Sequence, residues 1–277
     1  MEDLMYYFSF PFVRYALLVG VMISLCSALF GVVLVLKRFS FLGDGLSHAG
    51  FGALAVATMM GVSNELWVVL PVTAALAVLL LKRGQKAKVE GDAALAMVSV
   101  GALAIGYMIL SKSSDAANVS GDVCGTLFGA ASILTLDKGD VAFCAGLSLA
   151  VILVFTVFYN RIFSVTFDED FAEGTGIDVK RYNTVIAVIA AVIIVAAMRF
   201  VGSLLVSALI VFPALSAMRI QKSFRGTVIC SAVVAVISAS LGIVFSILLS
   251  VPIGPSIVVM NILIFLILFL TERLIKA

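Results

Sequence analysis

Residues 226–250 read GTVICSAVVAVISASLGIVFSILLS, and this stretch decides the fold because it holds no charged side chain. A helix needs about 20 apolar residues to cross a bilayer core that is about 30 Å thick. Similar apolar runs occupy residues 12–36, 46–62, 65–81, 92–111, 139–159, 182–198, 200–218 and 255–271. The sequence therefore predicts an all-α, polytopic integral membrane protein with about nine transmembrane helices.

Two joints between these runs are so short that eight passes is an alternative to nine. The second and third runs are separated only by Gly61 to Asn64, and the sixth and seventh only by Arg199. Each pair is either a tight hairpin or one broken helix. Residues 118–136 are more polar and rich in Gly and Ser, which favours a short helix or a re-entrant segment covered by protein.

The composition argues against a soluble enzyme and against a nucleic-acid-binding protein. Of the 277 residues, 63% are hydrophobic and 12% are charged, whereas a soluble domain carries about 25% charged residues. The net charge of +2 predicts no nucleic-acid partner. The chain contains no G-x-x-x-x-G-K-S/T phosphate loop, so it is not itself a P-loop ATPase. Residues 1–277 are predicted to form a single transmembrane domain.

The basic residues predict the orientation, because Lys and Arg are enriched in cytoplasmic connections of membrane proteins. Fourteen of the 18 Lys and Arg residues fall in alternate connections. These are Lys37, Arg38, Lys82, Arg83, Lys86, Lys88, Arg161, Lys180, Arg181, Arg219, Lys222, Arg225, Arg273 and Lys276. We expect a multi-pass protein of the plasma membrane with its N-terminus outside. Its C-terminus and residues 160–181 are expected in the cytoplasm.

The single histidine of the chain, His48, stands four residues after Asp44 at the start of the second apolar run. On a helix, residues at this spacing share a face with their Cβ atoms about 5–6 Å apart. A carboxylate and an imidazole can together bind a divalent cation such as Zn²⁺ or Mn²⁺. From the spacing alone a second interpretation stays open, in which Asp44 caps the helix start and His48 reaches to the membrane surface.

The longest polar connection contains FSVTFDEDFAEGTG, residues 163–176, which is typical of a short amphipathic helix. The acidic residues 168–170 suit a helix N-terminus, and Gly176 suits the region where a helix ends. Phe167 and Phe171, four residues apart, are predicted to form one apolar face. Such a helix either docks a cytoplasmic partner or lies on the membrane surface.

Two polar residues and three glycines within or beside the apolar runs carry structural predictions. Arg199 is expected at the outer membrane interface, and Asn261 is expected to form a hydrogen bond between helices. Gly50, Gly52 and Gly61 are expected to permit close helix packing.

Four segments resemble one family and occur in the family's order across nearly the whole chain. They are VLKRFSFLGDGLSHA at 35–49, GDVCGTLFG at 121–129, FDEDFAEGTGI at 167–177 and VGSLLVSALIVFPA at 201–214. The chain resembles the membrane permease subunit of ABC importers for zinc, manganese or iron, the ABC-3 family. It departs from the family pattern at residues 50–52, where Gly-Phe-Gly replaces a common Leu-Pro-Gly step.

This resemblance implies a homodimeric permease that works with two cytoplasmic ATP-binding subunits and an extracytoplasmic metal-binding protein. The permease would move a divalent metal ion, Zn²⁺ or Mn²⁺, without a permanently bound cofactor and without its own ATPase. Asp44 and His48 match positions on the translocation path. Segment 167–176 matches the ATPase-coupling segment, whose acidic residues, Glu169 among them, are expected to meet basic residues of the partner. An alternative is a secondary carrier driven by an ion or proton gradient, with Asp44 and His48 as a proton relay.

Overall fold

The computed structural model describes residues 9–62, 64–84, 90–113, 127, 129, 136–203 and 205–276. Eleven helices and no strands lie in these ranges. They are α1 (Pro11–Leu36), α2 (Leu42–Met59), α3 (Leu66–Gly84), α4 (Glu90–Ser113), α5 (Lys138–Val157), α6 (Tyr159–Phe167), α7 (Glu169–Gly174), α8 (Val179–Val201), α9 (Val206–Ile220), α10 (Phe224–Leu249) and α11 (Ile253–Lys276). Most of the predicted re-entrant segment, together with Lys86 and Lys88, lies outside the described residues.

Six helices in the described ranges are long and apolar enough to cross a membrane. They are α1, α4 over Leu95–Lys112, α5, α8, α10 and most of α11. Helices α3 and α9 are shorter but also apolar. Each predicted apolar run falls on a separate helix, from α1 to α5 and from α8 to α11. The prediction of an all-α, polytopic membrane protein is confirmed, whereas the count of nine passes stays a prediction.

Helix α1 is the most deeply buried of the membrane-spanning candidates. In its most apolar window 72% of residues are buried, compared with 17% in α4 and 22% in α5 and α11. Its neighbours include α5, α8, α9 and α10. Its contact with α9 is very close at Gly31, where a Cβ atom would lie 2.2 Å from the carbonyl oxygen of Ile210. Small residues permit this kind of backbone approach between membrane helices.

The chain breaks between α8 and α9 at Gly202, which has a φ of 101° and ends α8. The predicted joint at Arg199 is therefore wrong, because Arg199 lies within the last turn of α8. Its Nη2 is 3.6 Å from Oδ1 of Asp140 at the start of α5. Glycine adopts a positive φ at little cost and so ends helices, whereas arginine is a good helix former. Gly129 packs against the break, since a Cβ there would lie 2.4 Å from the carbonyl carbon of Val201.

Helix α2 packs closely on its neighbours through two of the three glycines predicted to do so. A Cβ at Gly52 would lie 2.9 Å from the carbonyl oxygen of Ala102 in α4, and one at Gly50 would lie 3.1 Å from the sulfur of Met198 in α8. The prediction is wrong for Gly61, which has a φ of 64° and, among the described residues, no atom within 4 Å of an added Cβ. The helix is continuous through the Gly-Phe-Gly step.

Within the described ranges, the buried amide of Asn261 does not form the predicted hydrogen bond between helices. Its Nδ2 donates to the carbonyl oxygen of Ile257 in the same helix, at 3.0 Å. Its Oδ1 has no hydrogen-bond partner among the described residues. The prediction is wrong because a short polar side chain can reach the carbonyl one turn earlier in its own helix.

Candidate functional site

Asp44 and His48 are in contact on one face of α2. Nε2 of His48 lies 3.3 Å from Oδ1 of Asp44. His48 is 6% exposed, and its Nδ1 is buried with no hydrogen-bond partner among the described residues. One imidazole nitrogen therefore contacts Asp44, and the other has no partner in the part of the chain that the structure describes. That is uncommon for a buried polar atom.

The interpretation in which Asp44 caps the helix and His48 reaches the membrane surface is wrong. Helix α2 begins at Leu42, and its N-cap residue, Phe41, makes no side-chain cap hydrogen bond. Asp44 lies in the first turn, where its charge still suits the positive end of the helix. His48 is buried instead of extended towards the surface.

A third polar side chain, Ser99 of α4, reaches the same carboxylate. Its Oγ is 3.4 Å from Oδ2 of Asp44, and the residue is 6% exposed. Sequence reasoning missed Ser99, because serine is common in apolar helices and this one lies 55 residues from Asp44. The close packing of α2 on α4 at Gly52 brings the two helices together.

These side chains offer an imidazole nitrogen, carboxylate oxygens and a hydroxyl group. Zn²⁺ and Mn²⁺ both accept nitrogen and oxygen ligands of this kind. Among the described residues there is no group of three or more His, Cys, Asp or Glu side chains that could hold a metal ion. The part of one chain that the structure describes therefore offers two strong ligands here, Asp44 and His48.

The polar connection forms two short helices instead of the single helix predicted. Helix α6 ends at Phe167 and α7 begins at Glu169, because Asp168 between them is extended, with a φ of −148° and a ψ of 101°. The Asp168 carboxylate accepts a hydrogen bond from the backbone N–H of Phe171, at 2.9 Å. Asp168 is therefore the N-cap of α7, a position that aspartate favours.

Phe167 and Phe171 lie on different helices, so the prediction that they form one helical face is wrong. Both are nevertheless exposed, at 58% and 64%. The Phe167 ring packs against Phe163 and Phe224, with centroid distances of 4.9 and 5.9 Å. This leaves Phe171 as the more exposed aromatic side chain of the segment.

Gly176 lies just beyond Thr175, the C-cap residue of α7, and marks the end of that helix, as the sequence predicts. It has a φ of 85°, and its backbone N–H donates to the carbonyl of Glu173 at 3.0 Å. The backbone N–H of Ile177 donates to the carbonyl of Ala172, also at 3.0 Å. These two hydrogen bonds are those of the Schellman motif, which favours glycine at this position.

An ion pair that the sequence did not predict links this segment to the membrane helices. Nζ of Lys37, at the end of α1, lies 2.6 Å from Oε1 of Glu169 and 2.9 Å from Oδ1 of Asn183 in α8. The Lys37 side chain is 4% exposed. Burial lowers the pKa of Lys37 below its ordinary value, and the Glu169 carboxylate opposes that shift. Glu169 thus has a basic partner in its own chain, where a basic residue of another subunit was expected.

Comparison with known proteins identifies relatives along nearly the whole chain. The model of the ABC 3 transport family matches residues 9–272. The chain is 28% identical over 263 residues to the manganese transport system membrane protein MntC of Halalkalibacterium halodurans, covering 93% of this chain and 88% of that protein. It is 26% identical over 260 residues to the high-affinity zinc uptake system membrane protein ZnuB of Haemophilus influenzae, covering 94% and 97%.

The fold is also that of a solved structure, PsaBC from Streptococcus pneumoniae in complex with Fab. The TM-score is 0.84 at 24% sequence identity, with 97% of this chain and 94% of that chain covered. At this level of identity the likeness shows the fold alone. Because the family model covers nearly all of the sequence, the chain belongs to the ABC 3 transport family.

Proposed function

We propose that the chain is the membrane permease subunit of an ATP-driven importer that moves Mn²⁺ or Zn²⁺ into the cytoplasm. Relatives in the family are named as manganese transport and zinc uptake membrane proteins. The observation that carries the proposal is the contact between the buried His48 and the partly exposed Asp44 carboxylate in a bundle of apolar helices. Ionisable side chains are costly inside a membrane and often mark an ion pathway.

Two copies of the chain are proposed to form the pathway. A zinc site usually has about four ligands, and a two-fold axis would bring two Asp44–His48 pairs together. Helix α4, which carries Ser99, supports this arrangement because only 17% of its apolar window is buried within one copy. A large apolar surface is therefore available to a second copy beside the candidate site.

The cytoplasmic ATP-binding subunit is proposed to dock on residues 167–176. Phe171 is 64% exposed there, and a large exposed aromatic side chain is a typical anchor of an interface. The Lys37–Glu169 ion pair supports a role in coupling, because it fixes the start of α7 to the end of α1. Movement imposed on α7 would then reach the membrane helices through side-chain contacts.

The proposed orientation has α7, the end of α1 and the C-terminus in the cytoplasm and the N-terminus outside. An extracytoplasmic binding protein would deliver the metal ion on the opposite side. The distribution of the basic residues supports this orientation. A secondary carrier has no need of a docking segment for an ATPase, and membership of an ABC transport family argues against that alternative.

Reconstitution tests the proposal directly. The chain is co-purified with its ATP-binding subunit, placed in liposomes, and assayed for uptake of radioactive Mn²⁺ and Zn²⁺. We expect uptake that requires ATP and the extracytoplasmic binding protein and that persists when the proton gradient is dissipated. Uptake that follows a proton gradient in the absence of ATP would identify a secondary carrier instead.

A further inference from the structure

A cavity of about 530 Å³ lies between the last turns of α5 and the first turns of α8, close to α6. Phe30 of α1 is among its lining residues and is 2% exposed. Val154 of α5 and Ile186 and Ile189 of α8 add further apolar lining. The cavity contains neither Asp44 nor His48, so it is separate from the proposed metal pathway.

Basic side chains line the same cavity as this apolar surface. Arg161 of α6 and Arg181 of α8 both belong to the lining. Arg161 donates a hydrogen bond to the Tyr182 hydroxyl, and its guanidinium lies 5.7 Å from the centroid of that ring. It forms no ion pair with a carboxylate in the described part of the chain. Arg181 is paired with Asp178 at 2.8 Å, so the lining carries one positive charge in excess.

The apolar lining and the excess charge lie at the ends of two helices that are candidates to span the membrane. Helices α5 and α8 are both long and apolar enough to span the bilayer. Val185, which also lines the cavity, is 43% exposed. An apolar side chain with that exposure on a membrane helix contacts lipid chains unless protein covers it. The cavity therefore joins lipid-facing surface to a basic group.

We propose that this cavity binds an anionic phospholipid. The phosphate accepts hydrogen bonds from the guanidinium of Arg161, whose planar group suits phosphate oxygens. An acyl chain follows the apolar surface formed by Val185 and Ile189. Basic pockets between membrane helices are known sites for anionic lipid headgroups. A soluble anion would leave the apolar lining uncovered. A ligand that carries both an anionic group and an apolar chain is therefore favoured.

The bound lipid would also contact the end of the coupling segment. Thr175, Gly176 and Ile177, which follow α7, line the cavity. The occupant therefore packs against the turn that sets the direction of the chain from α7 into α8. This binding does not depend on which side of the membrane that end of the bundle faces.

Photolabelling of the full chain in liposomes tests the proposal. The probes are phosphatidylglycerol and phosphatidylcholine that carry the same photoreactive acyl chain, and labelled peptides are identified by mass spectrometry. We expect the anionic probe to label the peptides around Val154 and Ile189 about tenfold more than the zwitterionic probe. Arg161→Gln should reduce that labelling about tenfold, and Arg161→Lys, which keeps the charge and loses the planar group, should reduce it less.

Matched variants distinguish binding in this cavity from a general attraction of anionic lipid to positive charges on the protein. Arg225→Gln removes an exposed charge at the start of α10 that does not line the cavity, and it should leave the labelling unchanged. Ile189→Trp should fill the cavity and exclude the probe there. Equal labelling by both probes, or undiminished labelling of Arg161→Gln, would overturn the proposal. Loss of labelling in the presence of inorganic phosphate would also overturn it, because the occupant would then be a soluble anion. A disulfide between two copies of Val185→Cys would overturn it as well, because a second copy would then be the occupant.

Discussion

Nζ of Lys37 and Oε1 of Glu169 lie 2.6 Å apart and join parts of the chain that are 132 residues distant in sequence. Lys37 follows the last residue of α1, and Glu169 begins α7. Asn183 of α8 contacts both side chains, at 2.9 Å from Lys37 and 3.2 Å from Glu169. These three side chains therefore link the start of α7 to the end of α1 and to α8.

Removing the lysine should uncouple ATP hydrolysis from transport. In Lys37→Met the Glu169 carboxylate loses its charged partner, so α7 is no longer held to α1. We expect metal uptake to fall while ATP hydrolysis by the complex continues. Since the Glu169 side chain is 35% exposed, the loss of folding free energy should be moderate, about 1–3 kcal/mol. Thermal unfolding and the ratio of ATP hydrolysed to metal transported measure the two effects.

A double-mutant cycle isolates the ion pair from other effects of these substitutions. Glu169→Gln is combined with Lys37→Met, which removes both charges. We expect the double variant to be more stable than the sum of the single losses predicts, by about 1–2 kcal/mol. Strictly additive losses would show that this contact contributes no coupling energy.

Truncating the exposed aromatic side chain of α7 should release the ATP-binding subunit. An aromatic hot spot costs about 2–4 kcal/mol when it is replaced by alanine, which is roughly 30- to 1,000-fold in affinity. Phe171→Ala should therefore lose the subunit during purification in detergent and still insert in the membrane. Phe143→Ala is the control. Phe143 is 44% exposed and lies near the start of α5, at the end of that helix away from α6, so this variant should retain the ATP-binding subunit. Full recovery of an active complex with Phe171→Ala would mean that α7 merely lies on the membrane surface.

The close contact of α1 with α9 predicts a large effect for a single methyl group. Gly31→Ala should lower the free energy of unfolding by about 1–3 kcal/mol, because the added Cβ would overlap the Ile210 carbonyl oxygen. Gly146→Ala in α5 is the matched control, since no atom of the described part of the chain lies within 4 Å of a Cβ there. That variant should be unchanged or more stable by up to about 1 kcal/mol. Equal thermal stability of the two variants would contradict the packing described for α1.

The proposed orientation predicts which positions are reached from outside the cell. Single cysteines at Asp170 and Val251 are introduced in a cysteine-free background and treated with a membrane-impermeant thiol reagent. Both positions are exposed. We expect labelling of intact cells at position 251 and not at position 170 until the membrane is opened. Labelling of position 170 from outside would reject both the orientation and a cytoplasmic partner at α7.

The sequence predicted correctly those features that depend on residues close together in the chain. The apolar run 226–250 is found as α10, because a helix that crosses a bilayer must be continuously apolar. Gly176 follows α7 at a positive φ, as its residue type indicates. The spacing of Asp44 and His48 correctly predicted that they share one face of a helix.

Contacts between distant helices could not be predicted in this way. Ser99 meets Asp44 only because α2 packs on α4, and Lys37 meets Glu169 only because the start of α7 lies near the end of α1. The amphipathic pattern around Asp168 also suggested one helix where there are two. There the side chain of Asp168 bonds to a backbone N–H and starts a new helix instead of continuing the first.

Metal uptake by the double variant Asp44→Ala/His48→Ala is the most direct test of the proposed function. The variant complex is reconstituted in liposomes with the ATP-binding subunit, and its insertion and subunit content are checked against the unmodified complex. Because the two side chains are the strong ligands of the candidate site, we expect ATP-driven uptake of radioactive Mn²⁺ and Zn²⁺ to fall to the level of empty liposomes. Uptake at a rate near that of the unmodified complex would show that the metal ion crosses the membrane without Asp44 and His48.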